Sequence, residues 1–181
     1  MPKLLTFPSR TVKIFEGRFT VREFTFTALF DEKGRLLHLT FREEPEQRVL
    51  KRMARYFPGA RIEEGAPLPW RSELQRVLQG YLEGRARELS FPVRFWGTPF
   101  EKRVWETISE IPYGEVRTYA WVAERLGKPG ALRAVGRALA ANPLPLFIPC
   151  HRIVARRGLG GFSQGLEIKR MLLELEGVLR Q

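Results

Sequence analysis

The sequence predicts an α+β fold, a strand-rich α/β first half followed by a mainly helical second half, and three observations carry that expectation. Apolar and polar residues alternate through the early part of the chain, the period of strands. From Pro45 the apolar spacing changes to that of helices. Beyond Phe95, helix-start signals and tight Gly/Pro connectors follow one another at helical intervals. The expected division is a domain over residues 1–95 and a second over 96–181.

Strands are expected over Thr11 to Glu16, Phe19 to Phe30 and Arg35 to Phe41, the last two joined by the hairpin turn Asp31-Glu32-Lys33-Gly34. Pro45 to Tyr56 and Trp70 to Leu82 read as helices, separated by a Pro/Gly-rich stretch from Pro58 to Pro69. Charges spread over both helices as solvated faces, and nothing in this half concentrates chemistry. In the second half, Thr98-Pro99-Phe100-Glu101 has the form of a capping box with proline in the first turn. The helix it starts should bury Phe100, Val104, Ile108 and Ile111. Pro112-Tyr113-Gly114 turns the chain, and a second helix begins after the cap Thr118, with Tyr119, Val122, Ala123 and Leu126 on one face and Gly127 at its end. After Lys128-Pro129-Gly130, a third helix covers Ala131 to Ala141, and the pair forms a helix-turn-helix candidate. On the third helix Leu132, Val135 and Leu139 cluster on one side, and Arg133, Ala134, Arg137, Ala140 and Ala141 occupy the other. A small, cationic face lets a helix backbone approach phosphates closely and neutralise them. A last helix runs from Leu166 to Glu176 and stops at Gly177.

Composition bounds the function. The chain has 181 residues and a mass of 21.0 kDa, with 31 Lys and Arg against 20 Asp and Glu, so its net charge is +11 and its pI about 10.5. That excess favours nucleic acid or an acidic membrane surface as partner. The first residues lack a signal-peptide core and no apolar run spans a bilayer, so a soluble, cytoplasmic protein without a membrane partner is expected. A single cysteine excludes an intrachain disulfide. With only His38 and His151 beside it, a four-ligand zinc site of Cys and His is excluded, and neither metal nor cofactor is expected. Asn142 is the sole asparagine while Arg and Glu abound, a balance reported for heat-adapted proteins.

The single cysteine, Cys150, lies in Ile148-Pro149-Cys150-His151-Arg152-Ile153, eight positions after Asn142. A thiol titrates near ~8.5, and only the thiolate is strongly nucleophilic. From Arg125 through Leu166 the chain carries Arg125, Lys128, Arg133, Arg137, Arg152, Arg156 and Arg157 without one acid, a field expected to favour the thiolate and attract polyanions. A buried, inert Cys150 is the competing reading. In an extended segment Cys150 and His151 would point to opposite faces, so a water is needed to carry a proton between them. Glu176, where the helix dipole disfavours an anion, gains most from a cationic partner and could orient His151; a merely exposed Glu176 is the alternative.

These residues together resemble the O6-alkylguanine-DNA alkyltransferase family: Pro149-Cys150-His151-Arg152, Asn142-Pro143, Arg133-Ala134-Val135-Gly136 and Glu176-Gly177, with the likeness strong from Thr98 to Gly177. The resemblance implies a ribonuclease H-like fold for the first half. It implies DNA repair by direct reversal: Cys150 takes the alkyl group from O6 of a flipped guanine in duplex DNA, keeps it as a thioether and acts once. It gives His151 the part of water-mediated base, Glu176 its orienter, Asn142 an anchor of the active-site turn and Tyr119 a hydrogen bond to the flipped base. It places Arg133 in the stack and Ala134, Arg137 and Arg152 among the DNA contacts. Carbonyls of Cys150 and Ile153 would accept from the exocyclic amine, with Ser163 at O6. Gln164-Gly165 departs from the glycine pair many relatives have, which bears on pocket width. Whether O4-alkylthymine is also a substrate, and whether the expected monomer assembles cooperatively on DNA, the sequence leaves open. A helix-turn-helix regulator would explain the charge but not the grouping of Tyr119, Asn142, His151 and Glu176 with Cys150. A cysteine hydrolase would leave the arginine-faced helix without a purpose.

Overall fold

The computed structural model describes residues 12–180. β1 (Lys13–Val21) and β2 (Phe24–Asp31) form an antiparallel hairpin that turns at Arg22-Glu23, with Arg22 at φ +53°. The turn therefore falls later than the expected break between Glu16 and Phe19. Gly17 stays in the ladder opposite Ala28 because the Arg71 side chain lies over it, 2.7 Å from where a Cβ would stand. Thr11, the expected start of the first strand, lies outside the described residues, as does the N-terminal segment searched for a signal peptide.

The turn to β3 (Leu36–Thr40) falls where expected: Asp31 Oδ1 accepts from the amides of Lys33 and Arg35 at 3.0 Å each, and Gly34 takes φ +74°. β4 (Arg61–Glu64) emerges from the stretch read as a connector and pairs parallel with β1, giving the order β3-β2-β1-β4. Four residues with one apolar side chain are too few for a strand period to show.

α2 (Leu68–Leu82) starts two residues ahead of expectation, with Pro69 in its first turn, and buries Leu74, Leu78 and Tyr81 against one face of the sheet with Phe26 and Phe30. The other face buries Ile14, Leu29 and Leu37 under Met53 of α1 (Gln47–Tyr56) and Trp96. The alternation of strand side chains divides the two clusters. The edge of β3 is covered: the Leu36 amide donates to Pro92 O at 2.8 Å, the Arg94 amide to Leu36 O at 2.9 Å, and the Leu39 amide to Pro143 O at 2.9 Å.

In the second half Thr98 and Glu101 close both bonds of the capping box on α3 (Pro99–Ser109), which buries Val104, Trp105 and Ile108, while Phe100 is only half-buried. Thr118 Oγ1 accepts from Trp121 N to cap α4 (Tyr119–Arg125). α5 (Leu132–Ala140) buries Val135, Ala138 and Leu139. Leu132, expected in the core, is 45% exposed; it stands at the helix's first position, ahead of the buried turns. β5 (Arg117–Thr118) and β6 (Ile153–Val154) pair in parallel, and α6 (Leu166–Leu175) closes the chain with Gly177 at φ +75°. One core runs from Phe26 and Leu78 through Trp105 and Val135 to Leu172, so both halves share it. No helix among the described residues is long and apolar enough to cross a membrane.

Candidate functional site

Cys150 opens a 3-10 turn, Cys150–Arg152, not the extended segment the sequence suggested. Pro149 leads into it, and the Cys150 amide donates to Ile148 O at 2.7 Å. Asn142 builds the loop before it. Its Nδ2 donates to Ile148 O at 2.9 Å and to Cys150 Sγ at 3.0 Å, and its Oδ1 accepts from the Leu144 amide at 2.8 Å. Within the loop Leu146 holds φ +75°, a conformation costly for a branched side chain that persists because surrounding packing imposes it.

The two-residue ladder of β5 and β6 brings the start of α4 beside the Cys150 turn. Tyr119 thereby lines a cavity of about 270 Å³ with Cys150, Gly136, Phe162 and Ser163. The Gly161 amide donates to Tyr119 Oη at 3.2 Å. Gly160, at φ +70°, lets the loop approach the ring: a Cβ there would meet it at 3.0 Å.

His151 and Glu176 are both buried and meet at 2.7 Å, Nε2 to Oε1. Glu176 caps the C-terminal end of α6, where the dipole and burial both oppose its charge. Burial would raise its carboxyl, but hydrogen bonds from His151 and Arg152, with a further one from Tyr81, outweigh it and hold Glu176 at about 2. An ionised carboxylate only accepts, so the proton on His151 sits at Nε2. Burial, opposed by Glu176, holds the imidazole below its ordinary value and hence neutral. Nδ1 is then the basic nitrogen, and it is buried without a hydrogen-bond partner among the described residues.

The thiol departs from expectation. Burial pushes Cys150 up to about 11, against lowering by the Asn142 amide and the charge of Lys169. Arginines 125 to 157 do not hold it down, because the cation that acts on it belongs to α6. Sequence reading passed over Lys169, which is fully buried; its Nζ donates to Ile153 O and Leu159 O at 2.5 Å and to Gly161 O at 3.0 Å, joining the loop beneath Tyr119 to the turn after Cys150. One lone pair of the Ile153 carbonyl is thus occupied and the second remains.

Arg152 corrects another expectation. It is 8% exposed, its guanidinium donates to both oxygens of Glu176 and, at 2.8 Å, to Ile111 O, so its charge is spent inside the protein rather than on DNA. Arg133 and Arg137 are exposed and form no ion pair among the described residues, and Ala134 between them is half-buried. The first half also contributes, contrary to its reading as chemically quiet: Tyr81 of α2 donates to Glu176, and Arg48 of α1 lines the cavity of Cys150. Neither had a sequence signal, since each is joined to the site only by the packing of the halves. Arg52, read as part of a solvated face, pairs with Glu101 and donates to Ala141 O at 2.7 Å. Gln164 lines an adjoining cavity and not that of Cys150; its Oε1 accepts from Thr40 Oγ1 at 2.9 Å and Phe41 N at 3.0 Å, which turns it away from the thiol. No cluster of three or more His, Cys, Asp or Glu suited to a metal occurs among the described residues.

A buried thiol, a neutral imidazole with a free basic nitrogen, a fixed carboxylate and an exposed cationic helix suit one nucleophilic transfer from a polyanionic substrate. Residues 99–178 match the profile described as 6-O-methylguanine DNA methyltransferase, DNA binding domain. An inducible methylated-DNA–protein-cysteine methyltransferase of Bacillus subtilis is 36% identical over 144 residues, 78% of each chain. The crystal structure of Mycobacterium tuberculosis O6-methylguanine methyltransferase superposes with a TM-score of 0.73 at 31% identity, over 90% of this chain and 92% of that one. That of Mycobacterium tuberculosis OGT in complex with DNA superposes with a TM-score of 0.70 at 31% identity, over 91% and 92%.

Proposed function

The chain belongs to the methylated-DNA–protein-cysteine methyltransferase family, and on that premise we propose that Cys150 is its alkyl acceptor, served by His151, Glu176, Asn142 and Tyr119. The function is repair of DNA by direct reversal: the alkyl group passes from O6 of guanine to a cysteine of the protein. Cys150 is the only cysteine in the chain, and that observation carries the assignment.

The geometry supports a sequence of steps. A thiol that titrates at about 11 needs a base, and Nδ1 of His151 is the free one nearby in sequence and burial. A water between Sγ and Nδ1 takes the proton to His151, whose positive charge Glu176 stabilises. Sγ attacks the alkyl carbon, the S–C bond forms, the C–O6 bond breaks and its electron pair stays on O6. Tyr119 donates toward the leaving guanine, and the thioether is not reversed, so each molecule acts once. A base inside an intact stack is out of reach of a buried thiol, so the damaged nucleotide is extruded into the 270 Å³ cavity, with Ser163 and the free lone pairs of Cys150 and Ile153 carbonyls to read its edge.

We read α4 and α5 as a helix-turn-helix whose α5 presents Arg133, Ala134 and Arg137 to double-stranded DNA, with Arg133 filling the gap left by the extruded base. The four-stranded sheet with α1 and α2 on its faces is the ribonuclease H-like part, residues 1–95, ahead of the alkyltransferase part, 96–181. All the groups assigned to the site come from one chain, which supports action as a monomer. A thiol kept free for transfer favours the reducing cytoplasm.

Intact and peptide mass spectrometry after mixing the protein with duplex DNA carrying one O6-methylguanine tests the assignment. A single methyl on the Cys150 peptide, restored guanine and no second turnover are expected. Bound DNA with Cys150 unmodified would overturn it in favour of a damage sensor.

A further inference from the structure

We infer that Tyr81, carried by α2 of the first half, is a positioning residue of alkyl transfer: by sharing the charge of Glu176 it keeps His151 neutral and able to take the thiol proton. This deepens the reading of Cys150 as alkyl acceptor with His151 as its base, and rests on it.

Tyr81 is 1% exposed and stands 95 positions from Glu176 in the chain, so only the packing of the halves brings them together. Its ring meets that of Tyr113 edge-on, 5.9 Å between centroids and 84° between planes, which holds it in place. Its Oη donates to Glu176 Oε1 and lies 3.4 Å from His151 Nε2. Burial and the adjacent carboxylate both oppose loss of the phenol proton, so Tyr81 remains a donor.

The carboxylate is crowded with donors. Oε1 accepts from Tyr81, from His151 Nε2 at 2.7 Å and from Arg152 Nη2 at 3.0 Å. Oε2 accepts from Arg152 Nε and the Gly114 amide at 3.0 Å each. A carboxylate oxygen has about two lone-pair sites, so the three donors on Oε1 compete, and charge drawn by one is not felt by the others. The groups around His151 set its state together. Burial weighs most against the imidazolium, Glu176 of α6 favours it, and Arg152 of its own turn and Lys169 of α6 oppose it. Cys150 beside it is neutral, and the Tyr113 hydroxyl is turned to Leu175 O at 3.0 Å. Apart from His151 itself, Tyr81 is the one uncharged side chain bonded to Glu176 among the described residues, and it acts on the very oxygen that His151 uses. Without Tyr81 that oxygen would hold the imidazolium more firmly, and an imidazole already charged cannot accept the proton from Sγ.

Single-turnover methyl transfer from duplex DNA carrying one O6-methylguanine, followed from about pH 5 to 9 by the mass of the Cys150 peptide, tests this. The rate falls once His151 is protonated, so the acid limb of the profile reports that imidazole. Tyr81→Phe should move the limb up by about 0.5–1 unit, which on the limb is a rate about three- to tenfold below the parent. Tyr81→3-fluorotyrosine, a stronger donor of nearly the same size, should move it down. A side chain that only fills space would slow transfer at every pH and leave the limb where it was. Proton NMR titration of the DNA-free protein reads the same ring directly, because the chain has only two histidines and His38→Phe removes the other signal. A limb that stays in place or moves down in Tyr81→Phe would overturn the inference. Should that variant not fold, the fluorotyrosine variant decides, and absence of a downward shift overturns it. Absence of methyl transfer in the parent would instead sink the assignment of Cys150.

Discussion

Burial makes the resting Cys150 a neutral thiol, so the proposed mechanism borrows its reactivity from His151 and Glu176. Alkylation by iodoacetamide should accelerate with pH toward about 11, the value to which burial pushes the thiol, and a plateau reached by pH 8 would show that the surrounding cations win after all. Glu176 meets His151, Arg152, Tyr81 and the Gly114 amide, so Glu176→Gln leaves the buried Arg152 without its counter-charge. Loss of about 3–5 kcal/mol in urea unfolding is expected, with alkyl transfer slowed by roughly 10²–10⁴. Wild-type stability in that variant would contradict the account. The sign with pH follows: the folded carboxyl is held at about 2, below its ordinary 4.5, so its stabilisation is complete above the ordinary value and lost as pH falls from there toward 2. Cys150, His151 and Asn142 were visible in the sequence because they share one short segment. Lys169, Tyr81 and the inward turn of Arg152 were not, since burial is what gives each its part.

The helices of the second half were legible because their signals are local. Thr98 with Glu101, Thr118 and Gly127 act through backbone groups within a few residues, and the structure puts caps where those residues stand. β4 and the hairpin turn at Arg22 were not, since a parallel edge pairing and a glycine packed under Arg71 depend on distant partners. α5 carries the testable consequence at this scale. Arg133 and Arg137 have no acidic partner among the described residues, so both are free to meet DNA, Arg137 at a phosphate in the proposed arrangement. Arg137→Ala should flatten the plot of log affinity against log salt by about 0.9, the value for one phosphate contact. Arg133→Ala alone should weaken repair of duplex while sparing attack on free O6-alkylguanine, and equal loss on both substrates would remove its assigned part.

Across the whole molecule the two halves are joined by one core and by polar bonds that cross between them: Tyr81 to Glu176, Arg52 to Ala141, Gln164 to Thr40 and Phe41. The expected division near residue 95 is therefore not a division of packing. Urea unfolding followed by tryptophan fluorescence and by far-ultraviolet circular dichroism should give one coincident transition, and two separated midpoints would mean that each half folds alone. The net charge of +11 acts at this scale too, drawing the chain to a polyanion but not setting the state of its thiol.

The sequence by itself determined the α+β class, the capped helices, the cationic face of α5 and the pairing of a lone cysteine with an adjacent histidine, because these depend on period, short-range capping and a single short motif. Only the tertiary structure decided that the thiol is held neutral, that Arg152 serves Glu176 rather than DNA, and that the first half lends Tyr81 and Arg48 to the site. Those outcomes turn on burial and on partners more than twenty residues away, and neither desolvation nor long-range contact is written in the order of neighbouring side chains.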